Sequence, residues 1–267
     1  MMILVYTILL FLIFYFLYVL IRPYIPNNKP KVKGDKKAFK ADIEPSVTGI
    51  PYFIVYHSET TGLIPRAYES FDYPYIVQLA WILLDRDFKY IRGESFYVQQ
   101  SKSIPRSAIQ IHGITNKIVA RKGYPIKEVL GLFLADFINV NIQVGHNIDF
   151  DIKMLRAELE RNGYKPSIMY KVSFICTMDK GQYYCKLNPE YYYDGFFVKY
   201  KPPRLTELAY KCFGIDYKQT HDAMSDVLMA AKCFEKLSKD LKLSLDVDKP
   251  DLILDKYIIG NKKRAKN

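Results

Sequence analysis

The sequence predicts an α/β fold: a mixed β-sheet flanked by helices and preceded by one N-terminal transmembrane helix. Three observations predict it. Short apolar runs with strand character come first and then alternate with amphipathic helical segments, which implies a mixed sheet covered by helices. Three short polar segments rich in carboxylate or imidazole fall at the ends of those elements. The first 21 residues carry no charge.

That opening stretch, "MMILVYTILLFLIFYFLYVLI", has the length of a bilayer-spanning helix, since about 20 apolar residues cross the ~30 Å hydrocarbon layer. A cleaved signal peptide needs a basic start, a shorter apolar core and a small-residue cleavage site. None is present, so residues 1–22 are expected to stay as an anchor. Residues 22–40 then carry seven Lys/Arg against Asp35. The positive-inside rule puts the N-terminus outside and the rest of the chain in the cytoplasm as a single-pass protein. Residues 23–50, with four prolines and many lysines, read as a mobile basic linker with little to bury.

The strands come next. "YFIVYH" (52–57) reads as a buried strand, "YIVQLAWILLD" (75–85) as a second, and "SFYVQQ" (95–100) as a third after a turn near Asp87. "IKEVLGLFLADFIN" (126–139) has helical periodicity, and "IQVGHN" (142–147) is a short strand. "DFDIKMLRAELERNG" (149–163) is an amphipathic helix stopped by Gly163. "RLTELAYKCFG" (204–214) and "DAMSDVLMAAKCFEKLSKDL" (222–241) are two more helices. The aromatic, basic stretch 183–203 shows no period and is expected to be a loop. The folded domain is therefore expected over 51–241, with a basic tail over 242–267. No internal repeat is visible.

The net charge of +11 belongs to the ends. Residues 256–267 hold five Lys/Arg and no acid, and residues 41–255 hold equal numbers of basic and acidic residues. Basic ends suit anionic partners, lipid headgroups or nucleic acid. The four cysteines form no CxxC pair and no zinc spacing, which suits free thiols in a reducing compartment.

The polar segments carry the chemistry. Glu59 ends the first strand in "HSETTGL". Asp151 lies at a strand-to-helix junction in "GHNIDFDIKML". His221 and Asp226 open a late helix in "HDAMSD". Ligands at such ends converge along one edge of a sheet. Carboxylates brought together this way hold divalent ions that stabilise both the attacking and the leaving oxygen of phosphodiester cleavage, and a histidine suits deprotonation of the attacking water. Asp149 and Asp222 read as solvated helix-start residues, and His146 as a hydrogen-bonded structural histidine.

Taken together, the three segments resemble the DEDDh family of 3′–5′ exonucleases, which includes the proofreading epsilon subunit of bacterial DNA polymerase III and the ribonuclease T group. The first family motif is typically D-x-E-T-T-G, and "HSETTG" matches all but its first position. "HNIDFDIKML" resembles the second motif, H-N-x-x-F-D-x-x-x-L, and "HDAMSD" the third, H-x-A-x-x-D. "IPRSAIQIHGIT" (104–115) and "KPPRLTELAYKCFGI" (201–215) are similar to the family's intervening segments. The resemblance covers residues 50–240 and implies a ribonuclease H-like fold and a two-metal site for Mg²⁺ or Mn²⁺. Residue by residue, it implies Glu59, Asp151 and Asp226 as metal ligands and His221 as general base. Thr60, Gly62 and Leu63 match the part that approaches the terminal nucleotide. His112 matches the histidine of the H-G-I-T segment.

His57 departs from the pattern, standing where the family has the aspartate that bridges both metals. An imidazole holds one metal through one nitrogen, and it suits Mn²⁺, Zn²⁺ or Fe²⁺ better than Mg²⁺. The expectation is either a weakened second metal with a loss of rate of ~10²-fold or more, or an altered metal preference with activity kept. The first functional expectation is a membrane-anchored 3′–5′ exonuclease acting on single-stranded DNA or RNA 3′ ends. The second is a domain that binds nucleic-acid ends, or a polymerase or replication and repair partner, without cutting. A third gives the working role to the anchor and the basic ends at anionic lipid.

Overall fold

The alternation of strand β1, Phe53–Thr60, divides the core in two. Ile54 and Tyr56 point into one apolar layer and Phe53 and Val55 into the other, as the two-residue period of a strand requires. The computed structural model describes residues 46–64, 73–193 and 196–259. The stretch expected to cross a membrane, most of the linker and the end of the basic tail lie outside the described residues. Among the described residues, no helix is long and apolar enough to cross a membrane.

β1 pairs antiparallel with β2, Ile76–Leu84, which pairs antiparallel with β3, Tyr90–Gln99. Two short helices follow, α1 (Arg106–His112) and α2 (Asn116–Lys122). They cover the β3 end of the sheet through a small cluster of Val77, Ile104, Ala108, Ile114 and Val119. A two-residue strand β4, Tyr124–Pro125, leads into α3, Ile126–Phe137. Strand β5, Ile142–Gly145, returns to pair parallel with β1. Helix α4, Ile148–Arg161, then carries the chain to β6, Ser173–Cys176, parallel with β5. The sheet order is β4-β3-β2-β1-β5-β6. This is the expected mixed sheet, flanked by α3 and α4 on the face of Tyr56 and Trp81. Helices α6 (Leu205–Phe213) and α7 (Ala223–Asp240) cover the face of Val55 and Ile82.

α4 stops where the sequence indicates, with Gly163 at φ +82°, a conformation most side chains avoid. All four cysteines are free and buried. Helix α5, Thr177–Cys185, has no counterpart in the sequence reading, and neither do α1 and α2 as helices.

Three expectations need correction. The stretch 183–203 is not a loop. It holds the antiparallel pair β7 (Leu187–Tyr193) and β8 (Phe196–Lys201). Strands form because the run is rich in Tyr, Phe and Val, which suit a pleated surface. The Asp194–Gly195 dipeptide between the two aromatic runs is a hairpin signal in the sequence itself. The last linker residues are also tied down. Ser46 N–H donates to Tyr90 O at 2.7 Å, and Ser46 Oγ donates to Asp85 Oδ2 at 2.5 Å. Finally, packing continues past residue 241. Tyr52 OH donates to Leu245 O at 2.7 Å, and Leu252, Leu254, Tyr257 and Ile258 lie against the core.

Candidate active site

β1 and β5 are parallel, so their carboxyl ends lie together, and α4 starts immediately beyond β5. That edge is where open α/β sheets place ligands. The register of β1 against β2 shifts between Glu59 and Thr60, and such a bulge re-aims side chains. His57 and Glu59 lie on the β1 face that packs under α7, which brings Asp226 from its first turn. Asp151 comes from the first turn of α4.

These four side chains meet. His57 Nε2 is 3.6 Å from Glu59 Oε1 and 4.0 Å from Asp226 Oδ2, while Nδ1 is 3.3 Å from Asp151 Oδ1. Glu59, Asp151 and Asp226 are 7, 1 and 2% exposed, whereas the imidazole keeps 26% of its surface accessible. The carboxylates are therefore shielded, and the imidazole stands between them and solvent. Burial opposes a charge on His57, but Asp151 and Glu59 outweigh it and hold the imidazole pKa well above the usual 6.5.

The residues fit a divalent cation. One ligand atom each from His57, Glu59 and Asp226 lies within 4.8 Å of the others. Glu59 Oε1 is buried and has no hydrogen-bond partner among the described residues, the condition that a bound cation relieves. One imidazole and two carboxylates suit Mn²⁺, Fe²⁺ or Zn²⁺. Asp151 stands outside this trio. Its Oδ1 accepts from Ser58 N–H and Ser58 Oγ–H, both at 2.7 Å, as well as facing His57.

Asp226 is held from the other side. Tyr217 OH donates to Oδ1 at 2.8 Å and Gln219 Nε2 donates to Oδ2 at 2.7 Å. Burial raises its pKa, against the lowering effect of His57 and these two donors. Gln78 Nε2 and Ser225 N–H both donate to Asp222, so Asp222 caps α7. Asp149 is exposed and pairs with Lys153 at 2.5 Å.

The remaining expected residues fall around this centre. Thr60 is buried, and its Oγ1 donates to Gly62 O at 2.6 Å. Leu63 is 84% exposed. His112 accepts from Ile114 N–H at Nδ1, so its Nε2–H donates to Thr60 O at 3.2 Å. Its role is to tie the H-G-I-T segment to the end of β1, and burial lowers its pKa. His146 is likewise structural. Nδ1 accepts from Thr177 Oγ1 and Nε2 donates to Pro203 O, both at 3.0 Å, and burial brings its pKa down to about 4. His221 precedes α7 in a left-handed conformation, φ 51°. It lies close enough to His112 for their charges to interact, but no hydrogen bond or ion pair among the described residues joins it to the carboxylates.

Sequence reasoning missed Ser58, Tyr217 and Gln219. Each lies within or just before a motif, but its partner is fixed only by the closed fold. It also missed a cavity of about 380 Å³ beside the cluster, lined by His57, Asp226, Asn147, Lys201 and Arg204. Lys201, ion-paired with Glu207, and Arg204 thus line the space next to the buried carboxylates.

With this geometry in hand, comparison with known proteins gives a consistent result. Residues 54–234 match the exonuclease family model RNase_T. The chain is 34% identical over 128 residues to the DNA polymerase III subunit epsilon of Buchnera aphidicola, covering 47% of this chain and 52% of that protein. It is 26% identical over 210 residues to the PolC-type DNA polymerase III of Latilactobacillus sakei, covering 78% of this chain and 13% of that one. Among solved structures, the zinc-bound E. coli exonuclease I complex with single-stranded DNA superposes with a TM-score of 0.56 at 25% identity, covering 72% of this chain and 41% of that one. E. coli exonuclease I in complex with a dT13 oligonucleotide gives 0.55 at 26% identity, covering 70% and 40%. The chain spans about half or less of the length of these relatives. The family match covers well over half of the sequence and contains His57, Glu59, Asp151 and Asp226, the residues that meet at the site: the chain belongs to the RNase_T exonuclease family.

Proposed function

We propose that this protein is a divalent-metal-dependent 3′–5′ exonuclease that hydrolyses the terminal phosphodiester of single-stranded DNA or RNA. The observation that carries the reading is the convergence of His57, Glu59 and Asp226 around the buried Oε1 of Glu59, which faces the imidazole at 3.6 Å but accepts no hydrogen bond among the described residues. Mg²⁺ or Mn²⁺ is the cofactor, with His57 favouring Mn²⁺. A bound ion supplies Lewis-acid stabilisation of the charge that develops on the phosphate.

The protein's own residues do the rest. Glu59, Asp226 and His57 Nε2 hold the ion, and Asp151 completes the carboxylate set. Asp151 also fixes the imidazole through Nδ1, while Ser58 fixes Asp151. Tyr217 and Gln219 keep Asp226 aimed. His221 is the proposed general base, taking a proton from the attacking water. Thr60, Gly62 and Leu63 border the terminal nucleotide, and Lys201 and Arg204 offer charge to its phosphates. Water attacks phosphorus, the bond to the 3′ oxygen of the preceding nucleotide breaks, and a nucleoside monophosphate leaves a shortened strand.

A second reading rests on His57 itself. An imidazolium surrounded by three carboxylates already supplies positive charge where an ion is needed, which favours a domain that binds nucleic-acid ends, or a polymerase-type partner, without cutting. The apolar segment 1–22 is proposed to anchor the protein in a membrane, with the domain on the cytoplasmic side. Protease protection in sealed vesicles tests that orientation, and digestion of the domain from outside reverses it.

The deciding experiment uses the full-length chain in detergent with 3′-labelled and 5′-labelled single-stranded DNA and RNA, in Mg²⁺ and separately in Mn²⁺. Trimming from the 3′ end that Asp226→Ala abolishes supports the enzyme. Trimming only by His57→Asp supports the binding domain.

A further inference from the structure

The β7–β8 hairpin joins α5 to α6, and its two faces differ. In the antiparallel register Tyr192 lies opposite Phe197, so the two rings share a face. Phe197 and Lys199 are exposed along β8, while Val198 and Tyr200, which alternate with them, are partly covered. The covered side is bonded to the domain body. Gln182 Nε2 donates to Tyr200 O at 2.6 Å, and the Tyr183 ring meets the Tyr200 ring edge-on at 5.9 Å. The other side presents Tyr192 and Phe197, 65 and 70% exposed, then Lys199, then Lys201. Lys201 is also a wall of the cavity beside His57 and Asp226. The exposed row therefore leads along one strand from a pair of aromatic rings to the catalytic cavity, about 13 Å for four residues at ~3.3 Å each. The surrounding charge is favourable to an anion. Residues 186–207 hold Lys186, Lys199, Lys201 and Arg204 against Glu190, Asp194 and Glu207, and Lys201 is ion-paired with Glu207.

We infer that this face of the hairpin is a stacking track for single-stranded nucleic acid, with Tyr192 and Phe197 holding bases upstream of the 3′ end and Lys199 and Lys201 following the backbone into the cavity. Three features together select this occupant. Exposed rings next to lysines are what a polyanion with π-faces requires. The row is continuous, through Lys201, with the cavity lined by His57 and Asp226. The opposite face of the same hairpin is already used in folding, so the exposed one is not waiting for the core. The inference rests on the reading that the cavity takes the 3′ end of a strand.

The test measures binding by fluorescence anisotropy in EDTA, where no cleavage occurs, with the full-length chain. The probes are 5′-labelled oligo(dT) and oligo(U) of three and twelve nucleotides. Tyr192→Ala/Phe197→Ala is expected to weaken the twelve-mers by about tenfold or more and to leave the trimers within twofold. Tyr192→Phe/Phe197→Tyr, which keeps both rings, is expected to bind as the natural protein does. Equal loss for both lengths makes the hairpin a support of the cavity and overturns the track, as does no loss for either. A change in sedimentation of the Ala variant without a change in binding makes the face a self-association surface and overturns it too. If the natural protein binds both lengths with these differences but never cuts, the exonuclease reading fails and the track stands. If it binds no oligonucleotide, both fail.

Discussion

Nδ1 of His57 lies 3.3 Å from Oδ1 of Asp151, so the imidazole that replaces an expected carboxylate is an ion-pair partner of the carboxylates that remain. Its other nitrogen faces Glu59 and Asp226. The same ring can thus carry a proton that neutralises the cluster or, once deprotonated, offer Nε2 to a metal. Proton and metal compete for one group.

The competition has a direction. In the absence of metal His57 keeps its proton well above 6.5. The stability contributed by the paired imidazolium is fully present below the unfolded value near 6.5 and is lost as pH rises through the elevated folded value. Metal affinity runs the opposite way, because an imidazole must lose its proton to ligate. Mn²⁺ affinity measured by calorimetry is expected to rise by up to roughly tenfold per pH unit above 6.5 until the folded pKa is passed. A flat profile between about pH 6.5 and pH 8.5 means that His57 takes no part in holding the ion.

Tyr217→Phe probes Asp226 without touching the cluster directly. The phenol is one of two donors to this buried carboxylate. Losing it leaves a buried acceptor short of a partner, at a cost of about 1–3 kcal/mol, and pushes a carboxyl pKa already raised by burial further up. Urea denaturation is expected to report that loss near neutral pH. Cleavage is expected to fall more at pH 6 than at pH 8, since the shift delays ionisation. A loss of stability with an unchanged pH profile assigns Tyr217 to packing alone.

Much of this site is legible in the sequence, for a physical reason. Glu59, Asp151 and Asp226 sit at the ends of elements with clear periodicity, and the ends of adjacent strands and helices converge whatever the details of packing. His146 and Asp149 also have the structural roles the sequence suggests, whereas Asp222, expected to be solvated, is half-buried against Gln78 and caps α7. What escapes is whatever depends on closure of the whole chain. Ser58 meets Asp151 from 93 positions away in the chain, and nothing local marks it. Tyr217 reads as one of 23 tyrosines until α7 turns Asp226 towards it. The hairpin escapes because aromatic residues occupy both of its faces, which erases the alternation that reveals a strand. α1 and α2 are seven residues each, too short for a helical period to stand out.

His146 yields a stability prediction of opposite sign to His57. It is neutral in the folded protein, with a pKa of about 4. At pH above 6.5 neither state binds the proton and nothing is lost. As pH falls from 6.5 towards 4, the unfolded chain takes a proton that the folded one refuses, and stability falls. At pH 5 that amounts to about 2 kcal/mol. Denaturation midpoints at pH 7 and pH 5 are expected to lie closer together in His146→Gln than in the natural protein. Equal spacing in the two proteins shows that the imidazole is protonated in place.

His57→Asp brings the metal and stability arguments together. The substitution restores the carboxylate that the family motif has at this position, and it removes the imidazolium that pairs with Glu59, Asp151 and Asp226. In chelator, four carboxylates then crowd one edge of the sheet without the imidazolium that paired with them. Removing one partner from a buried charge set costs about 3–5 kcal/mol, of which solvent at this partly exposed position spares a share. A melting temperature lower by roughly 5 °C or more is therefore expected in chelator, given about 2–4 °C per kcal/mol for a domain of this size. Mg²⁺ is expected to return that loss, because hard oxygen ligands suit it, and Mg²⁺ rather than Mn²⁺ becomes the better cofactor. The natural protein is expected to gain less from Mg²⁺ than from Mn²⁺. If His57→Asp melts at the same temperature in chelator as the natural protein, the imidazolium is not what holds the carboxylates together, and the competition between proton and metal has no basis.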